Sequence, residues 1–182
     1  MKKARPAHVV VPVMTNARRA HAALDEIERL YRWRFHAFVY TVTAIVGEVE
    51  TARDVVQEAF AAAIRRRESY RASGSVEAWL WTIVINTARD ERRARSRAHG
   101  REPVHLDPSP NGLPEHDDDA VRRAVAALPE RQRLVVFLRY YADLDYAEIA
   151  RVLGLSPGTV GSTLSSARSD LIRALADLEE VH

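Results

Sequence analysis

The residues best suited to chemistry crowd into one stretch. Between positions 89 and 101 stand Arg89, Arg92, Arg93, Arg95, Arg97 and Arg101, against only Asp90 and Glu91. Guanidinium groups are planar forks that match phosphate oxygens, and phosphate contacts hold a protein on nucleic acid without reading its sequence. From 102 to 120 the sign reverses, with Glu102, Asp107, Glu115, Asp117, Asp118 and Asp119 and no Lys or Arg. A basic segment abutting an acidic one implies a nucleic-acid contact followed by a stretch kept off nucleic acid.

Other chemistry finds little support. Gly154, Gly158 and Gly161 lack the spacing of a phosphate-binding loop, and no strand pattern precedes them. The seven His are scattered, with no i, i+4 pair and no His-Glu-x-x-His. Asp117-Asp118-Asp119 reads as a solvated acidic tract ahead of a metal site. The chain has no Cys, which excludes thiolate zinc and disulfides and makes a reducing cytoplasm the natural compartment. No paired acid and base or activated nucleophile is visible. The expectation is a protein that is not an enzyme and needs no cofactor and no metal.

The elements that must position these residues read as helices. Ala and Arg are abundant, both lose little on entering a helix, and only seven Gly occur in 182 residues. No run approaches the roughly eighteen apolar residues of a membrane span. Residues 1–24 carry five basic groups, Lys2, Lys3, Arg5, Arg18 and Arg19, and no acidic one. The apolar run Val9 to Met14 is short for a signal core and is followed by a poor cleavage site, so this segment reads as a basic, mobile arm. Helical spacing begins near Leu24 with Ile27, Leu30, Tyr31, Phe35, Phe38 and Val42, and a second stripe, Val56, Phe60, Ala63 and Ile64, lies within 48–67. The stretch Tyr70 to Ser75 breaks the pattern, and Ser75 is placed to cap a third helix striped by Trp79, Leu80, Ile83 and Val84. Periodicity is lost from 99 to 119, where Pro103, Pro108, Pro110 and Pro114 sit among the acidic residues; this predicts a linker. Helices then resume, with Val121, Val125 and Leu128 on one and Leu134, Leu138 and Tyr141 on the next. The fold class is all-α, two small helical domains joined by a flexible acidic, Pro-rich linker.

In the second domain the run Asp145 to Val160 has the mechanics of a helix-turn-helix, which extends over 146–168. Asp145 and Glu148 form a capping-box pattern. Ile149 and Leu153 face inward, and Ala150 lets two helices cross closely. Gly154 suits the left-handed turn, Ser156 the next N-cap, and Pro157 the first position of the following helix. Val160, Leu164, Ala167 and Leu171 anchor that helix and leave its N-terminal face for the major groove of duplex DNA.

The run Leu128-Pro129-Glu130-Arg131-Gln132-Arg133 through Leu175 resembles region 4 of the bacterial extracytoplasmic-function (ECF) sigma factors, in the sigma-70 family. Ala52-Arg53-Asp54-Val55-Val56-Gln57-Glu58-Ala59-Phe60 resembles their region 2.2. Tyr70 through Arg93, with Ala78-Trp79-Leu80 and Ile85-Asn86-Thr87-Ala88-Arg89-Asp90, resembles regions 2.3 and 2.4. The likeness implies a region 2 over 25–98 and a region 4 over 120–178, on either side of the linker 99–119. It further implies core RNA polymerase, through its β′ clamp helices and β flap, and promoter DNA as partners, allows an anti-sigma factor, and involves no membrane. Asp54, Gln57 and Glu58 would face the polymerase. Tyr70, Arg71, Ser73, Ser75, Trp79 and Asn86 would receive the melted minus-ten element, and Arg89, Arg92 and Arg93 its phosphates. Trp79, four residues before Ile83, fits a core position better than a base platform, and both readings stand. Ser156, Gly158, Thr159, Ser162, Thr163, Ser166 and Arg168 would meet the minus-thirty-five element. In the family the linker runs near the polymerase active-site and RNA-exit channels, where acidic charge mimics nucleic acid.

One departure bears on specificity. Relatives usually carry Lys or Arg near positions held here by Gly161 and Thr163, whereas this chain has no charge in the recognition helix until Arg168. The implied function is an alternative sigma factor that directs promoter-specific initiation. Its competitors are an autonomous helix-turn-helix regulator and a sigma-like interaction protein without productive promoter recognition. The block 52–93 argues against the first, and the uncharged helix sustains the second.

Overall fold

A computed structural model describes residues 16–71, 74–99 and 119–179. Among the described residues the long regular elements are seven α-helices: α1 (Asn16–Val46), α2 (Val49–Arg66), α3 (Val76–His99), α4 (Asp119–Ala127), α5 (Glu130–Tyr140), α6 (Tyr146–Leu153) and α7 (Pro157–Glu179). A short 3-10 turn, Arg67–Ser69, follows α2. The fold is all-α, as the composition indicated. Residues 1–15 of the expected arm, and Ser73 and the linker from 100 to 118, lie outside the described residues.

The first three helices form one bundle. Phe38 of α1 stacks on Trp81 of α3 at 4.1 Å between ring centroids, and Phe60 of α2 meets Phe38 edge-on at 5.1 Å. All three rings are buried. Large flat side chains remove much apolar surface from water, and these geometries add about 0.5–1.5 kcal/mol per pair. Three details differ from the sequence reading. Helix α1 opens at Asn16 and not near Leu24, because Ala20 and Ala23 already face the core. The deeply buried tryptophan of α3 is Trp81, with Leu80, Val84, Ile85 and Ala88, while Trp79 and Ile83 sit at the core margin. Ile64 is 41% exposed, so the inner face of α2 runs through Ala52, Val55, Val56, Ala59, Phe60 and Ala63 instead.

The last four helices form the second bundle. Leu134 and Leu138 are buried as expected, but Val121 and Tyr141 are exposed and Phe137 takes the inner position. The turn chemistry follows the sequence closely. Asp145 Oδ1 accepts from the Glu148 amide at 2.7 Å, and the Glu148 carboxylate accepts in return from the Asp145 amide at 3.2 Å, completing the capping box. Gly154 ends α6 in the left-handed region, φ 69° and ψ 38°. Ser156 Oγ accepts from the Thr159 amide at 3.1 Å, and α7 begins at Pro157. Asp143, at φ 53°, is the one non-glycine residue with positive φ among those described.

The two bundles are closed on one another. Buried residues of both belong to a single continuous apolar cluster, and α6 packs along α3 while α5 lies against α1. Tyr40 of α1 and Phe137 of α5 meet edge-on at 4.7 Å. Beside them Arg133 is 5% exposed. Its guanidinium donates to the carbonyls of Ala126 at 2.5 Å, Leu128 at 3.2 Å and Ala44 at 3.0 Å, tying the α4–α5 turn to the end of α1. Burial pulls its pKa below the usual guanidinium range, and Glu130 opposes that pull. A buried charge is tolerable when most of its donors are met, and the rigid fork reaches three carbonyls through Nη1 and Nη2, while the buried Nε has no partner.

Two expectations follow. Arg133→Ala leaves those carbonyls without their donor and should lower stability by about 2–3 kcal/mol, with Arg133→Lys recovering only part of it, as read by chemical denaturation. Gly154→Ala forces a Cβ into the left-handed region and should destabilise by about 1 kcal/mol, while Asp143→Gly, which relieves the same strain at the preceding turn, should leave the melting transition nearly unmoved.

Candidate nucleic-acid interface

Three groups of residues were singled out by their sequence, and the fold treats them differently. Asp54, Gln57 and Glu58 share the outer face of α2 and are all exposed. They lie opposite Val55, Val56, Ala59 and Phe60, which bind α2 to its own bundle, so the polar face is free to meet a partner. Glu58 takes an ion pair from Arg65 at 2.7 Å, with both side chains 63% exposed. A pair so exposed contributes little to stability and is easily exchanged for another partner.

The second group gathers where the chain turns from α2 into α3. Tyr70 is half-buried, its ring centroid 5.6 Å from that of Trp79, and its hydroxyl donates to the Gly74 carbonyl at 2.5 Å. Burial raises its pKa, with Arg151 opposing and Glu148 reinforcing the shift. The tyrosine thus holds the loop at its far side, and its hydroxyl is engaged. Ser75 Oγ accepts from the Ala78 amide at 3.1 Å, the expected N-cap of α3. Trp79 packs against the core from its margin, which supports the core reading of that residue. Arg71 and Asn86 are exposed. Further along α3, Arg93 pairs with Asp90 at 3.1 Å and Arg92 pairs with Glu130 of α5. Asp90, Arg92, Arg93, Ser96 and Arg97 line a shallow open depression of about 560 Å³. Arginines in such a hollow offer donors that match phosphate oxygens, and contacts of that kind weaken as salt rises.

Glu77, in the first turn of α3, was not among the expected functional residues. It accepts from Arg34 Nη1 at 3.1 Å, and burial raises its pKa with Arg34 acting against that rise. Its sequence signal was only its place in a first helical turn, where a carboxylate complements the helix dipole.

The third group follows the turn of the helix-turn-helix. Ser156, Gly158, Ser162, Ser166 and Arg168 are exposed and Thr159 partly so. Thr163 is 7% exposed, turned inward between Val160 and Ala167 on the buried side of α7. It is therefore withdrawn as a DNA contact. Its β-branched side chain fills a packing position that the alternation of Ser and Thr concealed. Gly161 lies beside the Tyr146 ring: a Cβ added there would stand 3.6 Å from the Tyr146 ring edge, an ordinary contact. The exposed face of α7 presents hydroxyls and first-turn amides and reaches its first cation at Arg168. That combination supports phosphate contacts at a helix N-terminus more readily than bidentate base readout.

Comparison with known proteins accounts for both bundles. The Sigma-70 region 2 family model matches residues 27–98, and the Sigma-70, region 4 model matches 118–171. The ECF RNA polymerase sigma factor SigM of Mycobacterium tuberculosis is 33% identical over 164 residues, spanning 87% of this chain and 83% of that protein. The RNA polymerase sigma-E factor of Streptomyces antibioticus is 34% identical over 167 residues, spanning 88% and 87%. Among solved structures, the complex of the sigma factor RpoE with the anti-sigma factor NepR from Bartonella quintana is similar in fold. It has a TM-score of 0.66 at 23% identity, covering 84% of this chain and 98% of that one. CnrH, solved with the cytosolic domain of CnrY, gives 0.62 at 23% identity, covering 89% and 95%. With regions 2 and 4 in order on one chain, and relatives matched over most of their length, the chain belongs to the extracytoplasmic-function sigma factors of the sigma-70 family.

Proposed function

We propose that this chain is an alternative sigma factor that binds core RNA polymerase and directs it to a two-part promoter. The observation that carries this reading is the ordered pairing of region 2 and region 4 on one chain. A regulator acting alone needs only the helix-turn-helix and has no use for the polar face of α2 or the loop before α3. Asp54, Gln57 and Glu58 supply carboxylates and an amide to the polymerase clamp helices, and region 4 meets the flap. Tyr70, Arg71, Ser73, Ser75 and Asn86 serve the melted minus-ten strand. Aromatic rings offer a stacking surface, and short polar side chains offer hydrogen bonds to an unpaired base. Arg89, Arg92 and Arg93 hold the flanking phosphates. Ser156, Gly158, Thr159, Ser162, Ser166 and Arg168 meet the minus-thirty-five duplex. The chain itself does no bond-making chemistry and works in the cytoplasm, where the polymerase is. No helix of the described residues is long and apolar enough to cross a membrane.

The uncharged start of α7 suggests a division of labour in which region 2 supplies most of the promoter selectivity. The direct test is reconstitution: the purified chain with core polymerase should start transcripts at promoters upstream of the genes it controls. Protection of DNA without polymerase, or polymerase binding without transcripts, would favour a stand-alone regulator or a decoy.

Two substitutions sharpen this. Asp54→Arg should weaken association with core polymerase at least about tenfold while leaving the melting transition unchanged, since the position is exposed and the reversal acts only across the interface. Arg168→Ala should weaken promoter binding by the holoenzyme almost equally across sequences and lower the slope of log K against log salt by about one.

A further inference from the structure

Trp33 of α1 is 82% exposed, more than any other large apolar side chain among the described residues. Indole carries a wide apolar surface, and leaving it in water is costly unless something comes to cover it. Tyr31 leans on Phe60 at 5.2 Å, on the side of α1 that meets α2. Two residues on, the helix has turned through about 200°, so Trp33 stands on the opposite side. That part of α1 runs beside the loop before α3. Arg34, the next residue, donates to Glu77 in the first turn of α3 at 3.1 Å. Glu26, two turns before Trp33, adds its charge to the rise in pKa that burial gives both Tyr70 and Glu77. Helix α1 also packs against the 3-10 turn Arg67–Ser69 that leads into the loop. The ring therefore stands between two points of α1 that both reach the loop or the turn after it.

The surroundings of the ring select its occupant. Arg29, four residues before it, and His36, three after, share its face and are exposed, and Arg32 adjoins it. Arg29 and Arg32 are held by Glu26 and Glu28 of the same helix, through surface pairs that a phosphate displaces at little cost. An apolar helix from a protein partner would need uncharged positions at this spacing. A nucleic-acid strand instead needs separate rings set among cations. We propose that Trp33 is a stacking platform for an unpaired base of the melted promoter strand, beside the base received by loop 70–75, with Arg29 and Arg32 on the adjoining phosphates. This rests on the sigma-factor reading of that loop. Every base has a π-face, so the contact is indifferent to base identity and adds grip without adding sequence choice. It forms only after melting, because the faces of a paired base are covered by its neighbours in the stack. Trp33 thus favours the open promoter over the closed one.

Holoenzymes assembled from core polymerase and the full chain carrying Trp33→Ala, Trp33→Leu or Trp33→Tyr decide the matter, on the promoter found by reconstitution. The probes are its duplex and its single strand across the minus-ten element, the latter with 2-aminopurine placed at successive positions, whose fluorescence falls when the base stacks. The unaltered holoenzyme should quench the probe at a position flanking the base held by the loop. Trp33→Ala and Trp33→Leu should lose that quenching and weaken binding of the single strand about tenfold, while Trp33→Tyr, which keeps a ring, retains most of both. Affinity for core polymerase, binding of the unmelted duplex and the melting transition of the chain should stay as they were, since the side chain is exposed and packs little of the fold. Full quenching and affinity in Trp33→Ala would overturn the platform. So would a Trp33→Leu variant as good as Trp33→Tyr, or a loss shared by core binding, either of which marks a contact with protein. If the unaltered holoenzyme binds no single strand at all, the sigma reading itself fails; if it binds and Trp33→Ala binds equally, only the stacking role falls.

Discussion

Cations meeting backbone carbonyls set how the two bundles of this protein stand to each other. Arg133 gathers three carbonyls from α1, α4 and the α4–α5 turn, and Arg34 reaches the carbonyl that ends α5. Helix C-termini always leave carbonyls without an intrahelical donor, and a guanidinium supplies several donors in one rigid group. Placing such groups at the helix ends of the opposite bundle turns an ordinary capping requirement into a tertiary joint. Without Arg133 the apolar contact of Tyr40 with Phe137 would still favour closure, but the end of α1 would lose its tie to the α4–α5 turn. The joint in turn determines which surfaces of α3 and α6 face each other, and so which of their polar groups are covered.

This arrangement also separates the roles of the two charged populations on α3. At the N-terminal end Ser75 is held by Glu148 of region 4 and Glu77 by Arg34 of α1, whereas Arg93, Ser96 and Arg97 border an open depression. Arg92 lies between, half-buried and already paired. A nucleic acid approaching the closed chain would meet the last turns of α3 first. Long-range attraction to phosphate can therefore operate before the loop is available, since electrostatic steering needs only accessible charge.

Much of the second bundle was legible because its signals are local. A capping box, a left-handed glycine and a serine cap are each set by a few neighbouring residues, and all three stand where their types require. Polar positions on helices were harder. Thr163 sits among serines and reads as surface, yet the inward register of α7 buries it. Trp79 and Trp81 are two residues apart, and the stripe through Ile83 selects one while the packing on Phe38 selects the other. The early start of α1 was hidden because alanines fill the buried positions there, and a methyl group carries little periodic contrast. Closure itself left no mark in the sequence. It depends on pairs such as Ser75 with Glu148, 73 positions apart, each of which is an unremarkable polar residue on its own helix.

The double engagement of Glu148 constrains how this family member can vary. One carboxylate oxygen completes the α6 cap and the other reaches across to Ser75. A change at position 148 made to loosen the grip on region 2 would at once unsettle the first helix of the DNA reader, so the side chain is bound to two tasks with a single substitution space. The Arg92–Glu130 pair carries no such double duty, since neither side chain caps a helix. Substitution is therefore easier at that pair than at the aspartate and glutamate around the turn.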